Sequence, residues 1–599
     1  MTGRGADTVA MSRRNFAISP RGSYGVCLST GGGESALERW ELGDGHPRFV
    51  TCNTAGRAVG HAQPVVSEHG AVLVSAPVAD CCELTHFDPV LAPRLLERFP
   101  QTGLHLLAGP GTDHAVALGF GHADGRTRVW RISGSPPSLS PVVADARGLL
   151  RAAGWLDRAG RLLAVNQTVD GETRVAVIDL ATGSLSPWPV PGAHAILTRP
   201  GTRELLVAVQ RDGGGELALV SENGDRRVLG GLSAIAGALA PLAFDRGGGR
   251  LAVVATRGAR SHLFEYDLAT ELAREIPTSP GVIRSPAVWS ADRLQVTFSA
   301  PRHPTGFAGL PDRPLTWQDP EPLRPAVAAH AEWLAGPSGP IEAVIYGGPG
   351  WRYAQRLLIA VHGGPEASWQ LDFEPLFQRL AAAGVTVVAP NQRGSTGYGS
   401  GHRLAIQNAW GGPDLDDIAA LGRQLADQRD AVGLEAPMLY GTSYGGFLAL
   451  LSASCQPTAW SRCVAVSAFL SGPSLHEDGG GSVRRLVERL GGHTLIEDEL
   501  GPRDVADLCA GMRAPLLLVH GERDPLIPVG HARRLCSRLL AHGRRAGVEF
   551  AYHEVPGAGH SPLDGRAGEP VRDQIVRFLT TDARPEPELV PAVGAEPST

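Results

Sequence analysis

The chain has 599 residues, of which 43% are hydrophobic and 19% are charged, and its formal net charge is −6. This length predicts two or more domains, and the apolar content is sufficient for large cores. A negatively charged chain without a dense arginine cluster argues against a basic nucleic-acid-binding face, so we expect no nucleic-acid partner. No apolar run of about 18 residues occurs, so we expect no membrane-spanning helix and no membrane partner.

The cysteines give no sign of a metal site or of a disulfide framework. The eight cysteines form no C-x-x-C motif, and none lies near a histidine at zinc-finger spacing. The first twenty residues also lack the apolar core of a signal peptide. We therefore expect a protein of the reducing cytoplasm, without a metal or an organic cofactor.

The first half of the chain contains a strand-like repeat. Seven short apolar runs recur at intervals of roughly 45 residues, and most are followed by a turn and a second run. The seven runs are YGVCLS, AVLVSAP, AVALGFG, LLAVNQ, LLVAVQ, LAVVAT and LQVTFS. Repeats of this length made of short strands are typical of four-stranded propeller blades. We predict an N-terminal segment at 1–19 and a seven-bladed β-propeller at 20–322; a pair of β-sandwiches is the alternative.

The second half alternates strands and helices. The runs RLLIAVHGG, VTVVAP, PMLYG, CVAVSAF, APLLLVHG and EFAYHEV are strand-like, and amphipathic helical segments separate most of them. This alternation predicts a mostly parallel sheet covered by helices on both faces, which is an α/β domain over 323–582. The Pro- and Glu-rich end of the chain, 583–599, is predicted to be disordered.

The segment GTSYGG lies between a predicted strand and a predicted helix, where an α/β-hydrolase carries its nucleophile. A tight turn with glycine on both sides would hold the Ser443 hydroxyl out above the sheet. G-x-S-x-G alone is a moderate signal in a chain with 76 glycines, and a serine in an ordinary glycine-rich turn is the alternative. The strand–turn–helix setting favours a nucleophile.

Two further motifs at strand ends complete a catalytic triad. Asp524 follows the strand APLLLVHG, and His560 follows the strand EFAYHEV within a GAGH loop. The order Ser443, Asp524, His560 is the order of α/β-hydrolases. His560 would accept the serine proton, and Asp524 would orient the imidazole. The rival histidines, each with an ordinary structural explanation, are His520, His531 and His553.

The segment HGGP, from His362 to Pro365, follows the first strand of the α/β region. Its glycine N–H groups, together with the N–H of the residue after the nucleophile, can stabilise an oxyanion. An ordinary Gly-Pro turn is the alternative. The position of the segment at a strand end favours a part in the site.

Together these motifs resemble the prolyl oligopeptidase family of serine peptidases, most closely its acylaminoacyl-peptidase and dipeptidyl-peptidase-like branch. The matching segments are HGGP, NQRGSTGYG, WGGPDLDD, GTSYGGF, HGERDPLIP and GAGH. The resemblance implies that Gly364 and Tyr444 supply the oxyanion N–H groups, and that Arg393 and Tyr398 lie in a loop near the active site. For these last two residues, contact with substrate is one expectation and a structural role that ties the loop down is the other. His362 is a further candidate for substrate contact.

The resemblance also implies a function. In that family a propeller covers a hydrolase active site and admits short peptides, so we expect hydrolysis of a short peptide or acyl-peptide. The segment SLHEDGGGSVRRLVERLGGHT departs from the family pattern, which leaves the wall of the substrate pocket open. An esterase, thioesterase or acyltransferase, including a peptide cyclase, would use the same triad. A binding protein with an inactive hydrolase domain is a third class, and a homo-oligomer is compatible with the sequence.

Overall fold

The computed structural model describes residues 12–581 except 32–33, 44–46, 54–61, 79, 101–102, 112–115, 135, 212–213, 313, 321–322, 324 and 497. The expected disordered tail at 583–599 lies outside the described residues.

Seven antiparallel sheets follow one another along the first half of the chain, six with four strands and the last with three. The first four sheets contain β1 (Ser12–Ile18), β2 (Tyr24–Gly31), β3 (Glu34–Glu41), β4 (Arg48–Asn53); β5 (Gln63–Val66), β6 (Val72–Val78), β7 (Cys81–Phe87), β8 (Pro93–Pro100); β9 (Gly103–Ala108), β10 (Ala117–Ala123), β11 (Arg126–Ser133), β12 (Ser138–Arg147); and β13 (Leu149–Trp155), β14 (Leu162–Val169), β15 (Glu172–Asp179), β16 (Ser184–Pro187). The last three contain β17 (Ala193–Thr198), β18 (Glu204–Arg211), β19 (Gly214–Ser221), β20 (Arg226–Val228); β21 (Ala238–Phe244), β22 (Arg250–Arg257), β23 (Arg260–Asp267), β24 (Leu272–Ile276); and β25 (Val282–Trp289), β26 (Arg293–Ala300), β27 (His303–Pro311). The strand β1 contacts β5 of the next sheet and β25 of the last, which closes the ring. The predicted seven-bladed propeller is confirmed.

The predicted start of the propeller at residue 20 is wrong, because the first strand of blade one is Ser12–Ile18. Each of the seven apolar runs in the sequence is the second strand of its blade. A second strand is flanked within its blade and covered by both neighbouring blades, so most of its side chains are apolar, with a few buried polar residues such as Asn166 and Gln295. First strands line the centre of the ring and mix polar with apolar residues. The sequence of β1, SRRNFAI, therefore lacks the apolar run by which a strand is recognised.

The turns between the outer strands of the blades follow from aspartates in the sequence. Asp179 ends β15, and its carboxylate accepts a hydrogen bond from the N–H of Ala181. Asp267 ends β23 and accepts hydrogen bonds from the N–H groups of Ala269 and Thr270. An aspartate that bonds to the backbone two residues ahead stabilises a turn, which is why the D-L-A-T segments separate strands.

The second half forms one eight-stranded sheet. Its strands are β28 (His330–Leu334), β29 (Ile341–Tyr346), β30 (Arg356–Val361), β31 (Val385–Pro390), β32 (Met438–Thr442), β33 (Cys463–Val466), β34 (Leu516–Gly521) and β35 (Phe550–Val555). Their order is β28-β29-β31-β30-β32-β33-β34-β35, and the pairs from β31 to β35 are parallel. This is the sheet of an α/β-hydrolase, as predicted.

Helices cover both faces of this sheet. They are α1 (Pro375–Ala382), α2 (Ser400–Leu404), α3 (Pro413–Asp430), α4 (Tyr444–Cys455), α5 (Gly472–Asp478), α6 (Gly481–Leu490), α7 (Val505–Leu508), α8 (Gly530–Ala541) and α9 (Gly565–Thr580). One apolar core surrounds α4, and a second lies under α1 and α9 on the opposite face. Among the described residues, no helix combines the length and apolar character needed to cross a bilayer.

The propeller is attached to the hydrolase domain by direct hydrogen bonds. The turn between β22 and β23 makes three: Gly258 N–H donates to the Gly397 carbonyl, Ala259 N–H to the Glu342 carboxylate, and Leu371 N–H to the Ala259 carbonyl. The seventh blade is attached to the same region of the hydrolase domain. The expected boundary between residues 322 and 323 falls in the connection between β27 and β28.

Candidate active site

Ser443 lies between β32 and α4 in a conformation that non-glycine residues rarely adopt, with φ +54° and ψ −120°. Its neighbours show why this turn needs glycine. A Cβ on Gly441 would lie 2.0 Å from the Gly445 carbonyl oxygen, and a Cβ on Gly445 would lie 2.3 Å from the Val361 carbonyl oxygen. The strand and helix therefore approach closely enough to hold the serine at the end of the sheet.

The three residues of the expected triad are in hydrogen-bonding contact. His560 Nε2 lies 3.1 Å from Ser443 Oγ, and His560 Nδ1 lies 2.8 Å from Asp524 Oδ2. Asp524 and His560 come from the loops after β34 and β35, so parallel neighbouring strands deliver them to one edge of the sheet. The arrangement can pass a proton from the serine to the imidazole.

The Asp524 carboxylate is held in place by several donors. Its Oδ1 accepts hydrogen bonds from the N–H groups of Leu526 and Ile527. Burial alone would raise the pKa of this carboxyl, but hydrogen bonds from His520, His560 and the Ile527 N–H outweigh it and hold the pKa well below its usual range. Asp524 is therefore ionised at neutral pH and can stabilise a protonated His560.

Tyr444 and Gly364, the residues expected to form the oxyanion hole, line the same cavity as Ser443. Tyr444 is the first residue of α4, and Gly364 follows β30 in a left-handed conformation with φ +127°. A Cβ on Gly363 would lie 3.3 Å from the Cβ of Ser443, so this loop packs directly on the turn. Neither the Tyr444 N–H nor the Gly364 N–H donates a hydrogen bond to another of the described residues, so both are available to an oxyanion.

The Tyr444 side chain anchors the start of α4. Its hydroxyl donates a hydrogen bond to Asp414 at the beginning of α3, and its ring packs edge-on against Trp410. Burial raises the pKa of the Asp414 carboxyl to about 7, although the hydrogen bond from Tyr444 acts in the opposite direction. The contact ties the backbone N–H of Tyr444 to a second helix.

A cavity of about 520 Å³ opens beside Ser443 and His560. One side of it is apolar and is formed by Trp410, Phe469, Leu475, Val483, Leu486 and Ile527. The other side is polar and is formed by Gln370, Asp372, Glu374 and, from the propeller, Arg284. Its size is that of a site for a small molecule or a short peptide.

Comparison with known proteins finds a family match in the C-terminal part of the chain. The sequence model of the prolyl oligopeptidase family matches residues 370–584. The chain carries a prolyl oligopeptidase family domain. An uncharacterized peptidase of Bacillus subtilis is 29% identical over 226 residues, which cover 37% of this chain and 33% of that protein. A probable dipeptidyl-peptidase 5 of Emericella nidulans is 35% identical over 120 residues, 19% of this chain and 17% of that protein. The matches thus span a third or less of these relatives.

Solved structures resemble the whole chain. An acylaminoacyl peptidase of Pyrococcus horikoshii superposes with a TM-score of 0.72 at 14% identity and covers 95% of each chain. A puromycin-hydrolyzing peptidase of Mycobacterium tuberculosis superposes with a TM-score of 0.69 at 18% identity and covers 97% of this chain and 96% of that one. At these identities the likeness shows the shared fold alone, a propeller joined to an α/β-hydrolase domain.

Of the three residues suggested for substrate contact, only His362 borders the cavity. Its side chain is 3% exposed, Nε2 lies 2.7 Å from Ser395 Oγ, and burial lowers its pKa to about 4. Arg393 instead pairs with Asp417 at 2.8 Å. Neither Arg393 nor Tyr398 is among the residues lining this cavity. The structural role, which was the other expectation for these two residues, fits their contacts.

Tyr398 joins the loop of the prolyl oligopeptidase domain to its sheet. Its hydroxyl donates to the Glu342 carboxylate at 2.7 Å and accepts a hydrogen bond from Asn391 at 2.6 Å. Glu342 also binds the propeller turn at Ala259. The tyrosine therefore helps to hold the propeller in position rather than facing the serine.

The rival histidines do not contact Ser443. His520 is fully buried, with Nε2 2.9 Å from the Ile527 carbonyl and 3.4 Å from Asp524 Oδ2. His531 accepts a hydrogen bond from the Leu470 N–H, and His553 pairs with Gln574. The packing explanation for His520 was incomplete, because the ring also contacts the triad carboxylate.

The polar side of the cavity was missed by sequence reasoning. Arg284 lies in β25, and no motif connects it with the segment after HGGP. Its guanidinium binds Asp372 at 2.7 Å and Gln370 at 3.1 Å. The acidic pair in LDFEP, eight and ten residues after Gly364, was the available signal, since this loop begins beside Ser443.

Proposed function

We propose that the protein is a serine peptidase that hydrolyses short peptides through an acyl-enzyme on Ser443. The observation that carries this proposal is the hydrogen-bonded series Ser443–His560–Asp524 at the bottom of a cavity that the propeller helps to enclose. The prolyl oligopeptidase family domain supports a peptidase. So do the names of its relatives, which include dipeptidyl-peptidase and acylaminoacyl peptidase.

The proposed reaction begins with proton transfer. His560 Nε2 takes the proton of Ser443 Oγ as this oxygen forms a bond to the carbonyl carbon of the substrate. The carbonyl oxygen becomes an oxyanion that the N–H groups of Tyr444 and Gly364 stabilise; loss of one such donor typically raises the barrier by ~3–4 kcal/mol. His560 then gives the proton to the amide nitrogen, and the C–N bond breaks.

Water completes the cycle in this proposal. His560 removes a proton from a water molecule, whose oxygen attacks the acyl carbon of the ester on Ser443. The second oxyanion collapses, the serine oxygen leaves, and His560 returns the proton to it. The products are a peptide acid and an amine, and Asp524 remains ionised throughout because its pKa is held low.

The two sides of the cavity would contact different parts of the substrate. The apolar wall, with Trp410, Phe469 and Leu486, suits the side chain next to the cleaved bond. The enclosure between two domains favours short peptides over folded proteins. A cytoplasmic location remains part of the proposal and fits eight cysteines that form no disulfide bond with one another.

A fluorophosphonate probe tests the nucleophile directly, because it reacts with activated serines. We expect labelling of the full-length protein, loss of the label in Ser443→Ala, and unchanged labelling in Ser537→Ala, where the serine is exposed on α8. Labelling that persists in Ser443→Ala would disprove the assignment.

A substrate panel tests the reaction class. We expect cleavage of at least one di- to hexapeptide amide or acyl-peptide. Turnover of small esters or thioesters without cleavage of any peptide would overturn the peptidase proposal in favour of an esterase or acyltransferase. Mass spectrometry of the products would also reveal capture of the acyl group by an amine instead of water.

A further inference from the structure

The polar side of the active-site cavity carries two carboxyl groups and one arginine. Its titratable side chains are Asp372 and Glu374 from the loop before α1 and Arg284 from the propeller. Arg284 binds Asp372 at 2.7 Å, and Asp372 also accepts a hydrogen bond from the N–H of Phe373 at 2.8 Å. One carboxylate of the two is thus already neutralised by the arginine.

Glu374 has no such partner. It lines the cavity, and its carboxylate takes part in no hydrogen bond or ion pair with the residues that the structure describes. The charges that face it are Asp372, Arg284 and Asp564. Burial and the Asp372 charge raise the pKa of the Glu374 carboxyl to about 8, and Arg284 acts in the opposite direction. A carboxylate in such a place is costly unless a cation joins it.

Glu374 lies in the cavity that also contains Ser443. Gly364 and Glu374 are at the two ends of one loop, between β30 and α1, and both line the same cavity as Ser443. Tyr440 lies three residues before Ser443 on β32, and the charge of Glu374 helps burial to raise the pKa of its hydroxyl. Glu374 is therefore close to the strand that carries the serine.

We propose that Glu374 binds the free amino group of the substrate, so that the protein acts on short peptides with an unblocked N-terminus. This inference rests on the proposed peptidase function and narrows its substrate class. An ammonium group beside Glu374 would favour the ionised form of its carboxyl and pair with it, and the Arg284–Asp372 pair would hold the neighbouring wall in place. An N-acylated peptide has no ammonium group and would instead cover the partly buried Glu374 carboxyl without giving it a charged partner, which opposes binding.

The test compares substrates that differ only at the amino group. Chromogenic aminoacyl, dipeptidyl and tripeptidyl anilides are offered with a free amine, with an N-acetyl group, and as des-amino analogues in which hydrogen replaces the amine. For wild-type protein we expect kcat/KM to be about 10- to 100-fold higher for the free amine at one or more lengths, as for a hydrogen bond between charged groups. Equal or faster turnover of the acetylated series would overturn the proposal.

The variant Glu374→Gln keeps the shape and removes the charge. We expect the preference for the free amine over the des-amino analogue to fall by at least about tenfold, mostly through KM, while Glu374→Asp retains part of it. The matched control is Glu499→Gln, an exposed glutamate outside the cavity lining. An undiminished preference in Glu374→Gln would exclude Glu374 as the amine-binding group.

Fluorophosphonate labelling separates this inference from the proposed function. The probe carries no amine, so labelling of Ser443 in Glu374→Gln would show that the triad of this variant is intact. If wild-type protein is labelled and cleaves peptides without regard to the amine, the inference fails and the peptidase function stands. If neither labelling nor peptide cleavage occurs, the proposed function itself fails.

Discussion

At the scale of single residues, a second histidine supports the proposed triad. His520 Nε2 lies 2.9 Å from the Ile527 carbonyl and 3.4 Å from Asp524 Oδ2, and its ring is fully buried. The carbonyl and the carboxylate can share its N–H. The loop from 524 to 527 folds back on itself through the bonds from Leu526 and Ile527, so His520 fixes both ends of the segment that orients His560.

We predict that His520→Leu lowers kcat by about tenfold, equivalent to ~1.4 kcal/mol in the barrier, with little change in KM. The variant loses a donor to Asp524, so the carboxylate orients His560 less well. His520→Gln, whose amide can donate from a similar position, should recover part of the loss. The measurements are steady-state kinetics and the rate of fluorophosphonate labelling.

Equal activity of His520→Leu and His520→Gln at equal thermal stability would contradict this prediction. His553→Leu serves as the control, because His553 contacts Gln574 on the last helix and not the triad. A loss confined to Tm in both His520 variants would indicate packing alone.

The sequence predicted which residues meet at the nucleophile but not which face it across the cavity. Ser443, Asp524 and His560 each follow a strand of one parallel sheet, and strand ends of such a sheet lie together by construction. Glu374 and Arg284 come from different domains, so their encounter depends on the docking of the propeller. No periodicity or motif encodes that docking.

At the scale of elements, the segment that departs from the family pattern builds the apolar wall. It forms α5 and α6, joined by Gly479 and Gly480. Val483, Leu486, Val487 and Leu490 recur at helical spacing along one side of α6, and the arginines occupy the other. On the outer face Arg489 pairs with Glu366, which follows the HGGP segment. A helix therefore closes the pocket despite the glycines.

We predict that Leu486→Ala shifts the preference for the side chain next to the cleaved bond toward larger groups. Leu486 borders the cavity, and the substitution enlarges the apolar wall, so kcat/KM for a phenylalanyl substrate should rise relative to an alanyl one. One extra or missing methylene group in a hydrophobic pocket is worth ~1–3 kcal/mol, or about 10- to 200-fold in kcat/KM.

A ladder of anilides with alanine, leucine and phenylalanine beside the anilide measures this shift. The control is Leu495→Ala, because Leu495 is 61% exposed and does not line the cavity. A uniform change across the ladder would mean that α6 does not form the side-chain pocket.

At the scale of the whole molecule, the seven apolar runs were sufficient to predict the propeller, because every blade needs one strand buried on both sides. The number of strands in the last blade was not predictable, since the chain leaves that blade for the hydrolase domain after β27. The attachment between the two domains was not predictable from the sequence either. It rests on backbone groups of the β22–β23 turn, whose hydrogen bonds carry no side-chain signature.

That turn offers a test of how the propeller serves the site. Gly258 has φ +58°, and a Cβ there would lie 2.3 Å from the Glu342 carboxylate, which binds Ala259 and Tyr398. Gly258→Ala should displace Glu342 and weaken the contact with Leu371, which precedes the Asp372–Glu374 pair. We predict a lower Tm and a higher KM for short peptides, together with faster cleavage of long unfolded chains.

The matched control for this variant is Gly192→Ala. Gly192 has a similar φ of +63°, but nothing lies within 4 Å of a Cβ at that position, so the control carries the backbone strain without the displaced carboxylate. Fluorescence-detected melting and cleavage of a peptide-length series would be measured for both. If Gly258→Ala and Gly192→Ala lose the same stability and neither changes the length preference, the turn does not govern access. If only Gly258→Ala admits longer chains, the propeller limits substrate size through this contact, because the backbone cost common to both variants has been subtracted.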